Sequence, residues 1–317
     1  MKNINLTWII AHEPAYLFYR VASDFAKIVN EKSKDIQIKI NIITADEYNQ
    51  LNSSGDKVTK HNLWKLLQNN KVQIAQMQTT SLARQFNKQM HVFDMPYLFN
   101  DHDHAAEVLE GKIGTDLLNN FDKKSKLKGL AYTYSGGFRL MPFAEKVTSL
   151  EELYNKPIRS GMSEIAQETI SSFGFKPVPT EVEELTSTVM NKSALGGEHV
   201  AQRLLPDKCE SWTKTIIDTE HSLFLTSIVV NIDWWNSLPS DLQLIFIDSA
   251  REAARNERKL SLIEGEKSIK QLESIGVSYI KLTDLEKKQL KSKTEKVYTK
   301  FNNLFDSNLI TSIRKIK

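Results

Sequence analysis

The sequence predicts an α/β protein folded into two lobes, and three observations carry that expectation. The chain has 317 residues, long for one domain built on a single core, so two lobes are expected. Its N-terminal third alternates strand-like and helix-like stretches in the order βαβαβ, the pattern of a parallel sheet covered by helices. From Ser240 to Ile275 no proline interrupts a run of apolar residues at helical spacing. A helix of about 35 residues is roughly 50 Å long, longer than one small lobe, so it would have to run across both.

The N-terminal elements are read from their apolar periods. Met1 and Lys2 lead into the apolar strand Leu6 to Ile10. Pro14 then opens a helix whose core face is Phe18, Val21, Ala22, Phe25, Ile28 and Val29. Ile36, Ile38, Ile40 and Ile42 alternate with Gln37, Lys39 and Asn41, a half-buried strand. Asn52-Ser53-Ser54-Gly55-Asp56 is a loop, and Leu63, Trp64, Leu66 and Leu67 form a short helix before the strand Val72 to Met77. Thr79 or Thr80 can cap the helix after it. Phe93 to Phe99 is an apolar segment broken by Pro96.

Farther along, Lys128 to Tyr134 is a strand, and Gly136-Gly137 lets the backbone turn sharply before Phe138-Arg139. Pro177 and Pro179 precede an acidic helix start at Glu181, Glu183 and Glu184, and Gly196-Gly197 is a turn. Ile228 to Asn231 is a strand, followed by Trp234 and Trp235, a pair suited to packing. The long helix should bury Leu242, Ile245, Phe246, Ala253, Leu260, Ile263 and Ile269, with Ser249 on the same face and Gly265 its weak point. The tail from Asp284 carries Leu285, Leu290, Val297, Phe301 and Leu304, one amphipathic helix with its lysines in water.

Composition excludes several function classes. Apolar residues make up 40% and charged ones 26%, as in an ordinary globular protein. The net charge of +3, with Lys and Arg scattered among Asp and Glu, is no nucleic-acid surface. Apolar runs such as Leu223 to Val230 fall short of the roughly 20 residues that span a bilayer. A single cysteine, Cys209, excludes an internal disulfide and suits a small buried hydrophobe. The apolar start is too short for a signal-peptide core with a cleavage site behind it, so either the protein is cytoplasmic or its signal peptide has been removed.

Catalytic motifs are missing: there is no Gly-rich phosphate loop, no G-x-S-x-G, no H-E-x-x-H, and Cys209 has no base near it in sequence. Asn100-Asp101-His102-Asp103-His104 invites a metal reading, but i, i+2 spacing on a turn is not a ligand pattern. Capping of the helix that starts at Ala105 explains the aspartates more simply. No metal and no cofactor is expected.

One residue stands out chemically. Pro157 holds its neighbourhood extended, Ile158 is a short apolar step, and Ser160-Gly161 break into a turn before the periodic run Ile165, Thr169, Ile170, Phe173. Arg159 therefore sits where a strand meets a helix, the edge of an α/β sheet at which helix N-termini turn unpaired N–H groups toward ligands. A guanidinium offers five fixed donors and a permanent charge, suited to a planar carboxylate. The competing reading is a solvated surface arginine.

Several linked blocks carry a resemblance. They are Phe93 to Phe99; Gly137-Phe138-Arg139, read as the end of a strand; Ser149 to Leu153 through Pro157-Ile158-Arg159; Phe173 to Pro179; Ala194 to His199; and Val229-Val230-Asn231 through Leu238 to Gln243. Together they cover nearly the whole chain, and it resembles the DctP-type solute-binding proteins of the tripartite ATP-independent periplasmic (TRAP) transporter family. Where the family has Asp, Asn and Pro, this chain has Leu195, His199 and Val200.

The resemblance implies a two-lobe, type II periplasmic-binding-protein-like fold with a long helix spanning both lobes. Lobe I would hold residues 1–135 and 225–262, lobe II residues 136–224 and 263–317. It implies a periplasmic monomer that closes on a small organic acid and delivers it to TRAP-type membrane permease subunits. Its signal peptide would be absent from this sequence. Arg159 takes the position of the clamp and Arg139 that of a second arginine, with His199, Gln78, His12, Glu13 and Phe224 as further ligand contacts. A half-protonated His199 would make affinity pH-sensitive; the alternative is a histidine packed under the turn. An enzyme or a ligand sensor on a similar scaffold is the rival reading.

Overall fold

The computed structural model describes every residue except Met1, Lys34, Asp35, Ser54, Tyr134, Ser135 and Lys317, together with all side chains of the rest but that of Lys2. The chain divides into two compact units. One comprises Met1–Met90, Ala106–Ser135 and Leu225–Lys259, the other His91–Ala105, Gly136–Phe224 and Leu260–Lys317. The strands are β1 Lys2–Ile10, β2 Ile36–Thr44, β3 Ile74–Gln78, β4 Leu127–Thr133, β5 Arg139–Phe143, β6 Pro157–Ser160, β7 Lys176–Pro179, β8 His199–Val200, β9 Thr215–Asp218, β10 Thr226–Asn231 and β11 Ser278–Lys281.

The first unit is built on a five-stranded sheet in the order β2-β1-β3-β10-β4. β1 runs parallel to β2, from Lys2 opposite Ile36 to Ile10 opposite Thr44, and parallel to β3 at Trp8 and Ile9. β10 returns antiparallel between β3 and β4. The βαβαβ opening thus gives the parallel sheet its alternation implies. Helix Ala15–Lys32 buries Leu17, Phe18, Val21, Ala22, Phe25, Ile28 and Val29. Phe25 lies 5.4 Å from the Trp8 ring and 5.5 Å from Phe246 of the long helix, so sheet, first helix and long helix share one core. Burying each such ring contributes about 1.5–3 kcal/mol.

The second unit holds a four-stranded sheet, β11-β9-β5-β8, and the parallel pair β6-β7. Bridges from Gly196 to Phe143 and from Gly197 to Arg159 knit the two together. Its core includes Tyr97, Met141, Phe143, Leu153, Ile158, Phe173 and Ile217. Tyr97 donates its hydroxyl to Thr219 O at 3.1 Å, which ties the segment around Pro96 to this unit.

The long helix runs Ser240–Ser274, 35 residues, and the boundary between units falls within it, at Lys259 and Leu260. Leu242, Phe246, Ser249, Ala253 and Ile269 are buried as their spacing predicts. Leu260 and Ile263 are not: they are 39% and 50% exposed, and the buried positions of that stretch are Ser261, Gly265, Ser268, Ile269 and Leu272. The tail is also broken, with helices Asp284–Lys293 and Glu295–Lys300 parted at buried Thr294, and a further helix Ser307–Arg314.

Two smaller expectations fail as well. Arg139 opens β5 rather than ending a strand. Neither threonine caps helix Thr79–Phe86: Gln78 is its N-cap residue, and Thr79 Oγ1 meets Ser227 Oγ at 2.9 Å. The expected strand end at Tyr134, the loop residue Ser54 and the leading Met1 lie outside the described residues.

Candidate functional site

β6 is flanked by β7 on one side and by Gly197 on the other. The chain leaves it through Gly161 into helix Glu164–Ser172, capped by Ser163 Oγ, which accepts from Ala166 N at 3.1 Å. Arg159 thus stands where a strand gives way to a helix. It is no surface arginine, being 3% exposed. Nε and Nη2 both donate to Thr180 O, at 3.1 and 2.5 Å, and Nη1 donates to Glu198 O at 3.2 Å.

Three of its five N–H groups are therefore held by backbone carbonyls, which fix the plane of the group. The other two, one on each terminal nitrogen, have no partner among the described residues. Burial pushes the guanidinium pKa down to about 10, opposed by Glu198 and reinforced by Arg139. The charge persists at neutral pH, with Glu198, Glu181 and Glu183 near it on one side and Arg139 on the other, and the two uncommitted N–H groups suit a carboxylate.

Glu198 is the counter-charge at the centre. Its Oε1 accepts from Gly161 N at 2.6 Å, while Oε2 lies 3.2 Å from His221 Nε2 and 3.6 Å from Arg139 Nε. Burial alone would raise its pKa, but Arg139, the His221 hydrogen bond and the Arg159 charge hold it well below the usual carboxylate range. His221 is fixed in turn by Thr219 Oγ1, 2.7 Å from Nδ1. Arg139 carries the Phe224 ring 5.4 Å from its guanidinium carbon, a cation–π contact.

Of the residues singled out from sequence, the structure brings Arg159, Arg139 and Phe224 into one charged group about Glu198. Glu198 and His221 were missed. The only signal for Glu198 is strand alternation, which turns residues 198 and 199 to opposite faces; His221 left none. His199 is 1% exposed and turns Nε2 to Asp207 Oδ2, 3.0 Å away, with Arg203 Nη2 3.1 Å from the same oxygen. Burial lowers its pKa although Asp207 opposes this. It is packed beside Asp207 and Arg203.

Gln78, Glu13 and His12 belong to the first unit. Gln78 ends β3 and is half-buried. Glu13 accepts from Ala15 N at 2.9 Å, and buried His12 lies 5.1 Å from the Phe18 ring. The Asn100 to His104 cluster is a cap: Asp101 Oδ1 accepts from His104 N at 2.8 Å, and His104 bonds Asn100 N and Ile313 O at 3.0 Å each. Among the described residues no group of three His, Cys, Asp or Glu could hold a metal ion, and no helix is long and apolar enough to cross a membrane.

Residues 11–304 match the DctP family, bacterial extracellular solute-binding protein, family 7. The 2,3-diketo-L-gulonate-binding periplasmic protein YiaO of Escherichia coli (strain K12) is 29% identical over 199 residues, 63% of this chain and 60% of that protein. The match thus spans less than two thirds of YiaO's length. The C4-dicarboxylate-binding protein DctB of Bacillus subtilis (strain 168) is 23% identical over 297 residues, 93% of this chain and 81% of that one.

Solved TRAP periplasmic solute-binding proteins share the fold. One from Ochrobactrum anthropi has a TM-score of 0.85 at 20% identity, covering 99% of this chain and 94% of that one. One from Pseudomonas putida F1, with bound D-glucuronate, has a TM-score of 0.80 at 22% identity, covering 99% and 98%. These are solute-binding proteins and not enzymes. With the match running through all but the ends of the sequence, the chain belongs to the DctP family of bacterial extracellular solute-binding proteins.

Proposed function

We propose that this protein captures a small organic acid outside the cytoplasm and delivers it to a TRAP-type membrane permease. The carboxylate lands on the two uncommitted N–H groups of Arg159, and closure of the two lobes removes water from the contact. Each charge-assisted bond then contributes about 1.5–3 kcal/mol. Arg139, with Phe224 against it, adds positive potential, while Gln78, Glu13, His12 and His199 are the candidates for reading the rest of the ligand.

The carrying observation is Arg159 itself: buried, fixed by Thr180 O and Glu198 O, and two donors short of satisfaction. The relatives support the ligand class, since solved neighbours hold D-glucuronate, succinate and D-erythronate. Thermal unfolding against a panel of carboxylates tests it. An acid present at 100 times its Kd stabilises by about 2.7 kcal/mol, a rise of a few degrees. Arg159→Ala should abolish that rise. A full rise in Arg159→Ala, or no rise with any acid, would overturn the proposal.

A further inference from the structure

A small cavity lies within the first unit, between helix Lys112–Asn119, β4 and the long helix. None of its lining residues belongs to the second unit, which holds Arg159. Leu118 and Leu130 give it apolar walls, while Glu110, Thr115, Arg251 and Arg258 give it polar ones. The space takes an occupant about the size of a water molecule.

The charges around it do not balance. Glu110 is the one carboxylate on the wall, and it is already engaged. Its Oε2 receives Arg255, Nε at 2.8 Å and Nη2 at 2.7 Å, and its Oε1 receives Nη2 of buried Arg258. Arg251, half-buried, has no carboxylate. Of its five N–H groups, one on Nη2 donates to Thr115 Oγ1 at 3.3 Å, and the rest have no partner among the described residues. Lys128 stands close enough that the Arg251 charge, after burial, lowers its pKa. Its own contacts are neutral, Asn119 Oδ1 at 2.7 Å and the Trp235 ring at 5.6 Å. Asp248 and Glu252, on the long helix, act on Arg255, and Glu252 is held by Lys32 at 2.8 Å. Arg251 and Lys128 are thus two cations with uncharged partners.

A cation is repelled from such a wall, and a tetrahedral oxyanion exceeds the space. A water has two protons to give, and the acceptors here, Glu110 and Thr115 Oγ1, already receive from arginines. A halide asks only for donors and apolar contact. We propose that this cavity binds chloride, held by the uncommitted N–H groups of Arg251 and by the hydroxyl proton of Thr115, with Leu118 and Leu130 as its apolar walls. The ion offsets the charge that Arg251 and Lys128 share, and it joins helix Lys112–Asn119 to the long helix.

Thermal unfolding in sodium chloride, with sodium fluoride holding the ionic strength constant so that screening does not change, tests the site. The midpoint should rise by a few degrees and level off as chloride replaces the strongly hydrated fluoride, and bromide should do the same. The rise should vanish in Arg251→Gln, shrink in Thr115→Val, which alters no charge, and persist in Arg159→Ala.

A midpoint indifferent to chloride overturns the proposal. So does a rise that survives undiminished in Arg251→Gln or Thr115→Val, and so does one lost in Arg159→Ala, which would put the halide at the carboxylate clamp instead. Crystals of the unsubstituted protein grown in bromide give a check that needs no variant to fold. At a concentration that saturates the unfolding shift, the anomalous signal of bromide must lie between Arg251 and Thr115, and its absence there overturns the proposal.

Discussion

Gly197 and Arg159 occupy adjoining space: a Cβ at position 197 would come within 2.8 Å of Arg159 Cβ and 2.9 Å of Leu185 Cδ1. The first of these belongs to the root of a side chain whose far end is pinned by two carbonyls, so it cannot swing aside. Gly197→Ala should therefore push β6 and the bridging strip apart, destabilising the protein by about 1–3 kcal/mol. It should also weaken carboxylate binding more than a core substitution of equal cost does, because the displaced residue is Arg159. Urea unfolding and titration of the same samples check both effects, and unchanged affinity in a destabilised variant would separate the glycine from the site.

Glu198→Gln tests the buried counter-charge. Removing one partner of a buried ion pair leaves the others uncompensated, here Arg139 above all, and costs about 3–5 kcal/mol at neutral pH. The acid dependence follows from the depressed pKa. The unfolded chain takes up the proton first as pH falls, so the stabilisation is fully present above the ordinary value of 4.5 and is lost progressively below it. The gap between parent and Glu198→Gln in urea midpoint should thus be wide at pH 7 and narrow on acidification. A gap that stayed constant from pH 7 to below 4 would show the carboxylate is not held by those charges.

How much of this was legible in the sequence depended on whether the signal was local. The face of helix Ala15–Lys32, the length of helix Ser240–Ser274 and the place of Arg159 between strand and helix all come from residues within a few positions of each other. The motif blocks, matched in series, carried the family. Glu198 was passed over for its neighbour His199 because a short bridging strip has no long alternation to show which of two adjacent residues turns its side chain to Arg139. His221 joins the group only through folding, from a stretch with no periodicity. Leu260 and Ile263 follow the helical period yet are exposed, since a period says which residues share a face and not what covers it.

Phe224 gives a graded test of the arginine pair. Its ring lies against Arg139 and it is only half-buried, so Phe224→Ala removes a cation–π contact of about 0.5–1 kcal/mol with little loss of core. Carboxylate affinity should fall about two- to fivefold, and Phe224→Tyr should restore most of it. A loss as large as that of Arg159→Ala would mean that the ring, not the second arginine, is the main contact.

The long helix offers a prediction in which packing alone decides the outcome. Phe246 is fully buried and lies 5.5 Å from Phe25 and 5.6 Å from Trp234, so Phe246→Ala removes a ring from a filled core and should cost about 3–5 kcal/mol. Leu260 and Ile263 are apolar and fall in the same helical register but are exposed. Leu260→Gln and Ile263→Gln, which keep helix propensity, should each change stability by about 0.5 kcal/mol or less. Urea unfolding of the three variants ranks them. A cost at Leu260 or Ile263 comparable to that at Phe246 would mean that something covers those side chains in solution, and the face would have to be treated as part of a core.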